Sequence, residues 1–163
     1  MYLLDNLTGK EALYKTKFTF KETRKSLFFS FVCYHSKFFS YSEKYNSELY
    51  RGDVCEVFIN YGKDNHYYEI EVAPNGAIFL SDIENDGRSF KGTLIEKCFV
   101  KAKAKIKKKK YIVKIEIPRE IIPTKNIKFN AFRIDTDGGK ENAHLFALHP
   151  TLCKTFHKKE FLY

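Results

Sequence analysis

The sequence predicts an all-β protein, an antiparallel β-sandwich of about eight to ten short strands with minor helical turns. Its 16 Phe and 11 Tyr residues favour pleated sheets, in which aromatic and β-branched side chains pack well. Short alternating or apolar segments are separated by polar turns, and almost no segment repeats with the period of a helix. A hydrophobic fraction of 44% is enough for a core, so residues 1–163 are predicted to form a single domain.

The predicted strands follow from alternation and from the turn residues between them. They are residues 15–21, 26–35, 53–61, 66–73, 77–80, 96–106, 111–117, 127–136 and 144–148. The run Ser26–His35 is the most apolar, which predicts a central strand that is buried on both faces. The acidic segment Ser81–Gly92 is predicted to be a long loop.

The lysines of the segment 101–110, KAKAKIKKKK, account for much of the net charge of +9. Two interpretations are open, the solvated face of a hairpin and an anion-binding patch. Lysine alternates with Ala and Ile over the first six residues, as on a strand with one solvated face, and lysines on a hairpin discourage pairing between sheet edges. The pattern therefore favours the hairpin and argues against a nucleic-acid partner, and it leaves the oligomeric state open.

The four cysteines, Cys33, Cys55, Cys98 and Cys153, form no CxxC pair. Cys33 and Cys55 lie in apolar strand patterns, where a free thiol behaves as a small hydrophobic group. The first residues lack an apolar run of signal-peptide length, and no apolar run reaches the roughly 18 residues of a membrane span. These observations predict a cytoplasmic, reduced protein without a membrane partner. An extracellular protein whose export signal had been removed would show the same pattern.

Three blocks of sequence carry a family resemblance. The first, Glu48–Phe79, combines Tyr50-Arg51-Gly52-Asp53, a strand with one acid, a Tyr-rich strand and a Pro-Asn-Gly turn. The second is IKFNAFRID at residues 127–135, and the third is AHLFALHPT followed by FHKKEF at residues 143–161. The order of these blocks resembles that of the family 9 carbohydrate-binding modules and their DOMON-like sugar-binding relatives.

The resemblance implies non-catalytic binding of a mono- or oligosaccharide, with no required cofactor. Such modules hold a sugar between two aromatic rings, with charged side chains beside them. Tyr50 stands where one ring is expected, and Leu148 stands where the family has a Trp. The ligand-binding residues that the resemblance implies are Tyr50, Asp53, Glu56, Arg133, Asp135 and Leu148.

Three alternatives to sugar binding remain, two of which concern glutamates and one the lysine hairpin. Glu56 and Arg133 could form an internal ion pair that fixes strand register, because buried charges persist only when they are paired. Glu69 and Glu71 face the same way on one strand, as the paired carboxylates of a glycosidase must. That pair leaves open a glycoside-processing enzyme or accessory domain. A basic-surface interaction domain that uses the lysine hairpin is a third reading.

A structural calcium ion is a weaker expectation. Asp82, Glu84 and Asp86 place acids at alternate positions before Gly87, loosely as in a calcium-binding loop. The position of the bidentate Glu in such a loop holds Thr93. Calcium is therefore expected at most as an ion that stabilises the fold, as in relatives of the family.

Overall fold

A computed structural model describes residues 1–162, so that Tyr163, the last residue of the predicted domain, lies outside the described residues. The strands are β1 (Leu4–Asp5), β2 (Thr16–Glu22), β3 (Ser26–Cys33), β4 (Val54–Ile59), β5 (His66–Val72), β6 (Ile78–Asn85), β7 (Phe90–Leu94), β8 (Lys101–Lys107), β9 (Lys110–Pro118), β10 (Phe129–Asp135) and β11 (His144–Ala147). Helical structure in this range consists of short 3-10 turns at Leu49–Arg51, Arg119–Ile121 and Lys159–Phe161.

The strands form two antiparallel sheets. One sheet has seven strands in the order β1-β11-β10-β4-β5-β6-β7, and the other has four in the order β2-β3-β9-β8. Consecutive strands β4 to β7 pair as a meander, while β10 returns to pair with β4. The predicted antiparallel β-sandwich is confirmed.

The main core lies between the two sheets, because every second residue of each inner strand points to the other sheet. Phe29 and Phe31 of β3 and Val57 of β4 are fully buried there. Aromatic rings pack across the gap, and the rings of Phe29 and Phe129 meet edge to face at 5.2 Å between centroids. This arrangement leaves the alternate residues of the seven-stranded sheet on its outer face.

The outer face of the seven-stranded sheet is itself partly covered. Phe58, Tyr67 and Phe132 form a second apolar cluster on this side. The C-terminal segment lies over it, and Phe156 stacks on Phe132 with ring centroids 4.2 Å apart. Because this cover is incomplete, a concavity remains beside the cluster.

The predicted loop Ser81–Gly92 is wrong. β6 continues to Asn85, a turn contains Gly87 at a φ of +89°, and β7 pairs back on β6. All residues of β7 are exposed, and its one apolar face, Phe90 and Leu94 with Gly92 between them, is too short to mark a strand in an acidic, Gly-containing segment. The two-residue strand β1 is too short for such a pattern and was not predicted.

The expectation that the strand at Ser26–His35 is buried on both faces is also wrong. β3 is central in its sheet, but Phe28 is 38% exposed and Ser30 is only half-buried. The outer face of this sheet is solvated, and exposed lysines of β8, among them Lys103 and Lys105, lie on it. The lysine-rich segment forms the expected hairpin of β8 and β9.

None of the helices in the described part of the chain has the length and apolar character that a bilayer crossing requires.

Candidate functional site

The candidate site is a cavity of about 430 Å³ on the outer face of the seven-stranded sheet. Its floor is formed by outward-facing residues of β4, β5 and β6, and one wall is the C-terminal segment 154–157. Its rim carries the aromatic side chains of Tyr50, Phe79 and Phe90. The cavity is therefore assembled from strands that are central in the sheet and from segments far apart in the sequence.

Three glutamates converge at the floor. Glu56 of β4 lies directly opposite Glu71 of β5, and Glu69 lies two residues earlier on β5, on the same face. One carboxylate oxygen from each residue lies within 4.8 Å of the other two. The exposed fractions of Glu56, Glu69 and Glu71 are 2%, 8% and 2%. Strand register thus places three buried acids together.

The three carboxylates lack a balancing cation among residues 1–162, where no Lys or Arg forms an ion pair with them. Burial raises the pKa of Glu69 to about 7. Burial, and next the neighbouring glutamates, raise the pKa of Glu56 and of Glu71 well above the usual value, while a backbone hydrogen bond from Tyr50 opposes the shift at Glu71. Among the described residues, Oε1 of Glu56 and Oε2 of Glu71 have no hydrogen-bond partner.

His157 closes one side of the cluster as a neutral group. Its ring stacks on Phe90 at 3.8 Å between centroids, and its Nδ1 lies 2.8 Å from the hydroxyl of Tyr67. Burial lowers the pKa of His157 to about 4. The distance of 3.6 Å between its Nε2 and Oε1 of Glu69 is therefore not an ion pair at neutral pH.

The aromatic rim offers rings to solvent. Tyr50 is 46% exposed and Phe90 is 51% exposed. Tyr50 lies in the 3-10 turn that precedes β4, and Gly52 follows directly. A Cβ on Gly52 would stand 2.6 Å from the carbonyl oxygen of Phe39, so the close approach of the chain at Phe39 requires glycine directly after the turn that carries Tyr50.

Of the residues predicted from the sequence, Tyr50 and Glu56 meet in this cavity. Asp53 does not line it. The Asp53 carboxylate is fully buried and accepts hydrogen bonds from the backbone N–H of Thr136, at 2.7 Å, and from the Thr136 hydroxyl. These bonds tie the start of β4 to the end of β10.

Arg133 and Asp135 lie on the opposite face of the sheet, fully buried in the space between the two sheets. They form an ion pair with each other, and Arg133 also donates to the hydroxyl of Thr16 at 2.8 Å. Arg133 stands opposite the inward-facing Cys55 in the register of β10 and β4. The alternative of an ion pair between Glu56 and Arg133 is therefore wrong, because these side chains project from opposite faces.

Leu148 is not brought to the cavity either, since it follows β11 and packs against the core between the sheets. Leu145 and Phe156 line the cavity instead. Three further lining residues, Phe156, Phe90 and His157, were not expected at the site from the sequence. No local pattern marks these residues, because only the pairing of β7 and the return of the C-terminal segment bring them to the site.

The acids proposed for calcium are dispersed. Asp82 accepts hydrogen bonds from the hydroxyl of Tyr61 and lies 3.1 Å from Nδ1 of His66. Glu84 is exposed on β6, and Asp86 accepts backbone hydrogen bonds in the following turn. Within residues 1–162 the group of converging potential metal ligands is Glu56, Glu69 and Glu71.

A second concavity, of about 730 Å³, lies on the outer face of the four-stranded sheet. Lys21, Lys103 and Lys114 line it together with Phe28. These side chains are exposed or nearly so and come from four neighbouring strands. The surface lacks the buried, converging polar groups of the first cavity, which is therefore the stronger candidate.

Neither a protein-family model nor a curated protein matches this sequence. Solved structures do match its fold. One is a candidate carbohydrate-binding protein from Bacteroides uniformis ATCC 8492, with a TM-score of 0.77 and 14% identity over 98% of this chain and 82% of that one.

Two others are structures of a family 9 carbohydrate-binding module from Caldicellulosiruptor kristjanssonii. The complex with cellotriose has a TM-score of 0.64 and 14% identity, over 93% of this chain and 74% of that one. The complex with glucose has a TM-score of 0.58 and 15% identity, over 93% and 75%. The resemblance to family 9 modules is thus confirmed at the level of the fold.

Proposed function

We propose that this protein binds a carbohydrate, without catalysis, in the cavity on the outer face of the seven-stranded sheet. The observation that carries the proposal is the combination of an aromatic rim with buried, converging carboxylates in one concavity. A sugar needs flat apolar surfaces for its C–H faces and directional partners for its hydroxyls. A rim of rings above a floor of acids supplies both.

The roles follow from exposure and from free hydrogen-bonding capacity. Tyr50 and Phe90 offer exposed ring surface to the C–H faces of a sugar. The carboxyl groups of Glu56, Glu69 and Glu71 line the floor of the cavity and can form hydrogen bonds with the hydroxyls of a sugar there. The volume of about 430 Å³ is within the range of small-molecule sites and suits a mono- or disaccharide.

The glucose and cellotriose found in the two family 9 complexes are the natural first probes. A glycan array should show selective retention of a saccharide, and calorimetry should then give its affinity. We expect Tyr50→Ala and Phe90→Ala each to weaken binding by about tenfold, since a stacked ring contributes about 1 kcal/mol beyond its buried area and about 1.4 kcal/mol is tenfold.

Tyr34→Ala is the matched control, because Tyr34 is similarly exposed but does not line the cavity. The titrations are run both with a chelator and with calcium, so that the result does not depend on a metal ion. Equal affinities for the wild-type protein and both cavity variants would reject this site, and no retained glycan on the array would reject sugar binding.

Glycoside hydrolysis is a second candidate, supported by the raised pKa of Glu69, about 7, beside a second carboxylate. A general acid needs a pKa near the working pH, and retaining glycosidases place two carboxyl groups about 5 Å apart. Release of the aryl group from aryl glycosides, abolished in Glu69→Gln, would favour this candidate. Sugar binding without any turnover would support the non-catalytic proposal.

A further inference from the structure

We infer that Glu56, Glu69 and Glu71 together form a binding site for one hard divalent cation of the Ca²⁺ or Mn²⁺ class. The site lies at the floor of the cavity, on adjacent strands β4 and β5. The inference does not rest on sugar binding, because it concerns the ion alone.

The spacing of the oxygens fits one ion. A carboxylate oxygen from each glutamate lies within 4.8 Å of the others. Three oxygens no more than 4.8 Å apart place a central ion at most about 2.8 Å from each of them, close to the roughly 2.3–2.6 Å of Ca²⁺ ligands. Small rotations of the side chains, without a movement of the strands, therefore bring all three carboxylates into contact with one ion.

Unpartnered buried oxygens are the second observation. Glu56 and Glu71 are each 2% exposed, and among the described residues Oε1 of Glu56 and Oε2 of Glu71 have no hydrogen-bond partner. A buried carboxyl group is protonated, hydrogen-bonded, paired with a cation or bound to a metal. No Lys or Arg side chain within residues 1–162 forms an ion pair with these acids, so a divalent cation that displaces their protons would supply the missing partner.

The donor set indicates the kind of cation. Three carboxylates offer only oxygen, which suits hard ions such as Ca²⁺ and Mn²⁺ rather than ions that prefer sulfur or nitrogen. The ligands are held by paired strands, with Glu56 directly opposite Glu71. Since the site opens into the cavity, water can fill the remaining coordination positions.

Calorimetric titration of the chelator-treated, sugar-free protein with CaCl₂, and separately with MnCl₂, tests the inference. We expect one ion per chain for at least one of the two salts. Glu56→Gln and Glu71→Gln should each weaken the binding about tenfold or more, because each substitution removes one charged ligand. Glu84→Gln is the matched control, an exposed acid on β6 outside the cluster, and should bind as the wild-type protein does.

A second measurement covers the case in which a variant fails to fold. Substoichiometric Mn²⁺ added to the ¹⁵N-labelled wild-type protein should broaden the amide signals of residues around Glu56, Glu69 and Glu71 before those around Asp82 and Asp86. Absence of binding for both ions would overturn the inference. So would equal binding by all three variants, a loss confined to Glu84→Gln, or broadening centred on Asp82 and Asp86.

Discussion

Glu56, Glu69 and Glu71 are buried without a Lys or Arg partner among residues 1–162, and this arrangement has a measurable consequence for stability. The folded-state pKa of Glu69 is about 7, against an ordinary value of 4.5. An acid whose pKa is raised by folding contributes stability below its unfolded pKa, and this contribution is lost as the pH rises through the folded pKa.

We therefore predict that Glu69→Gln changes the pH dependence of stability in the metal-free protein. The wild-type protein should lose stability relative to Glu69→Gln between about pH 4.5 and pH 8, by on the order of 3 kcal/mol, because each pKa unit corresponds to about 1.4 kcal/mol. Urea unfolding in a chelator at several pH values measures the difference. A difference that is constant with pH, or that has the opposite sign, would contradict the account.

Substitution of Arg133 tests whether the buried Arg133–Asp135 pair between the two sheets stabilises the fold. We predict that Arg133→Ala destabilises the protein by roughly 3–5 kcal/mol, since it removes the guanidinium partner of the buried Asp135 carboxylate and leaves it only the His35 ring and the backbone N–H of Asp137. Arg51→Ala is the control, because Arg51 pairs with Glu48 at the surface and such pairs contribute about 1 kcal/mol or less. Thermal unfolding of both variants measures the loss of stability that each substitution causes. A loss for Arg133→Ala no larger than for Arg51→Ala would be inconsistent with a structural pair.

Much of the residue-scale picture could be predicted from the sequence. Alternation along the sequence of β4 puts Cys55 and Val57 on one face and Glu56 on the other, and in the structure the first face is in the core and the second lines the cavity. Alternation likewise puts Arg133 and Asp135 on a common face of β10, but it does not indicate which face of the sheet that is. That choice depends on the register with β4, which local pattern does not fix.

At the scale of elements, the hairpin of β6 and β7 shows where sequence patterns fail. β7 is an edge strand of five exposed residues, and the short face formed by Phe90, Gly92 and Leu94 is too weak a signal to reveal it in the sequence. Its pairing with β6 nevertheless positions Phe90 and Gly92 at the cavity. Hydrogen bonding to a neighbouring strand, rather than side-chain burial, holds this element, and such pairing leaves little trace in the sequence.

The lysines of β8 are the second element-scale feature. β8 is an edge strand whose Lys101, Lys103 and Lys105 are exposed, and charged side chains on an edge discourage association with another sheet. We predict that the triple substitution of these lysines by Thr promotes self-association, measured by light scattering over a range of protein concentrations. In the control variant, Thr replaces Lys10, Lys97 and Lys125, so that the protein loses the same charge outside β8. Equal behaviour of the two variants would assign the effect to net charge alone.

At the scale of the whole molecule, the packing of the two sheets can be tested through Cys33 and Cys55. Their sulfur atoms lie 3.4 Å apart, one on β3 and one on β4, so they meet across the sandwich. We predict that refolding of a Cys98→Ser, Cys153→Ser variant in a glutathione redox buffer links them. The bridge should raise the free energy of unfolding by roughly 2–4 kcal/mol. Peptide mapping that finds both thiols free after refolding would argue against this packing.

The cavity is a property of the whole chain, which explains why the sequence predicted only part of it. Glu56, Glu69 and Glu71 belong to one short meander, and the sequence analysis had singled out all three acids. The wall formed by Phe156 and His157 comes from the C-terminal segment, about 100 residues away in sequence and folded over the sheet. Contacts at such separation are set by topology, and a single sequence does not disclose them.

A saccharide that binds above the three glutamates must change the surroundings of the cavity residues, and chemical-shift mapping detects such changes residue by residue. Glucose and then cellotriose are titrated into ¹⁵N-labelled protein while amide signals are followed. We expect the shifts to concentrate at Tyr50, Glu56, Glu71 and Phe90 and to spare Lys103 and Lys114 on the other sheet. Shifts centred on the lysine-bearing face, or no shifts at millimolar concentrations of either sugar or of any glycan retained on an array, would contradict the proposed sugar site.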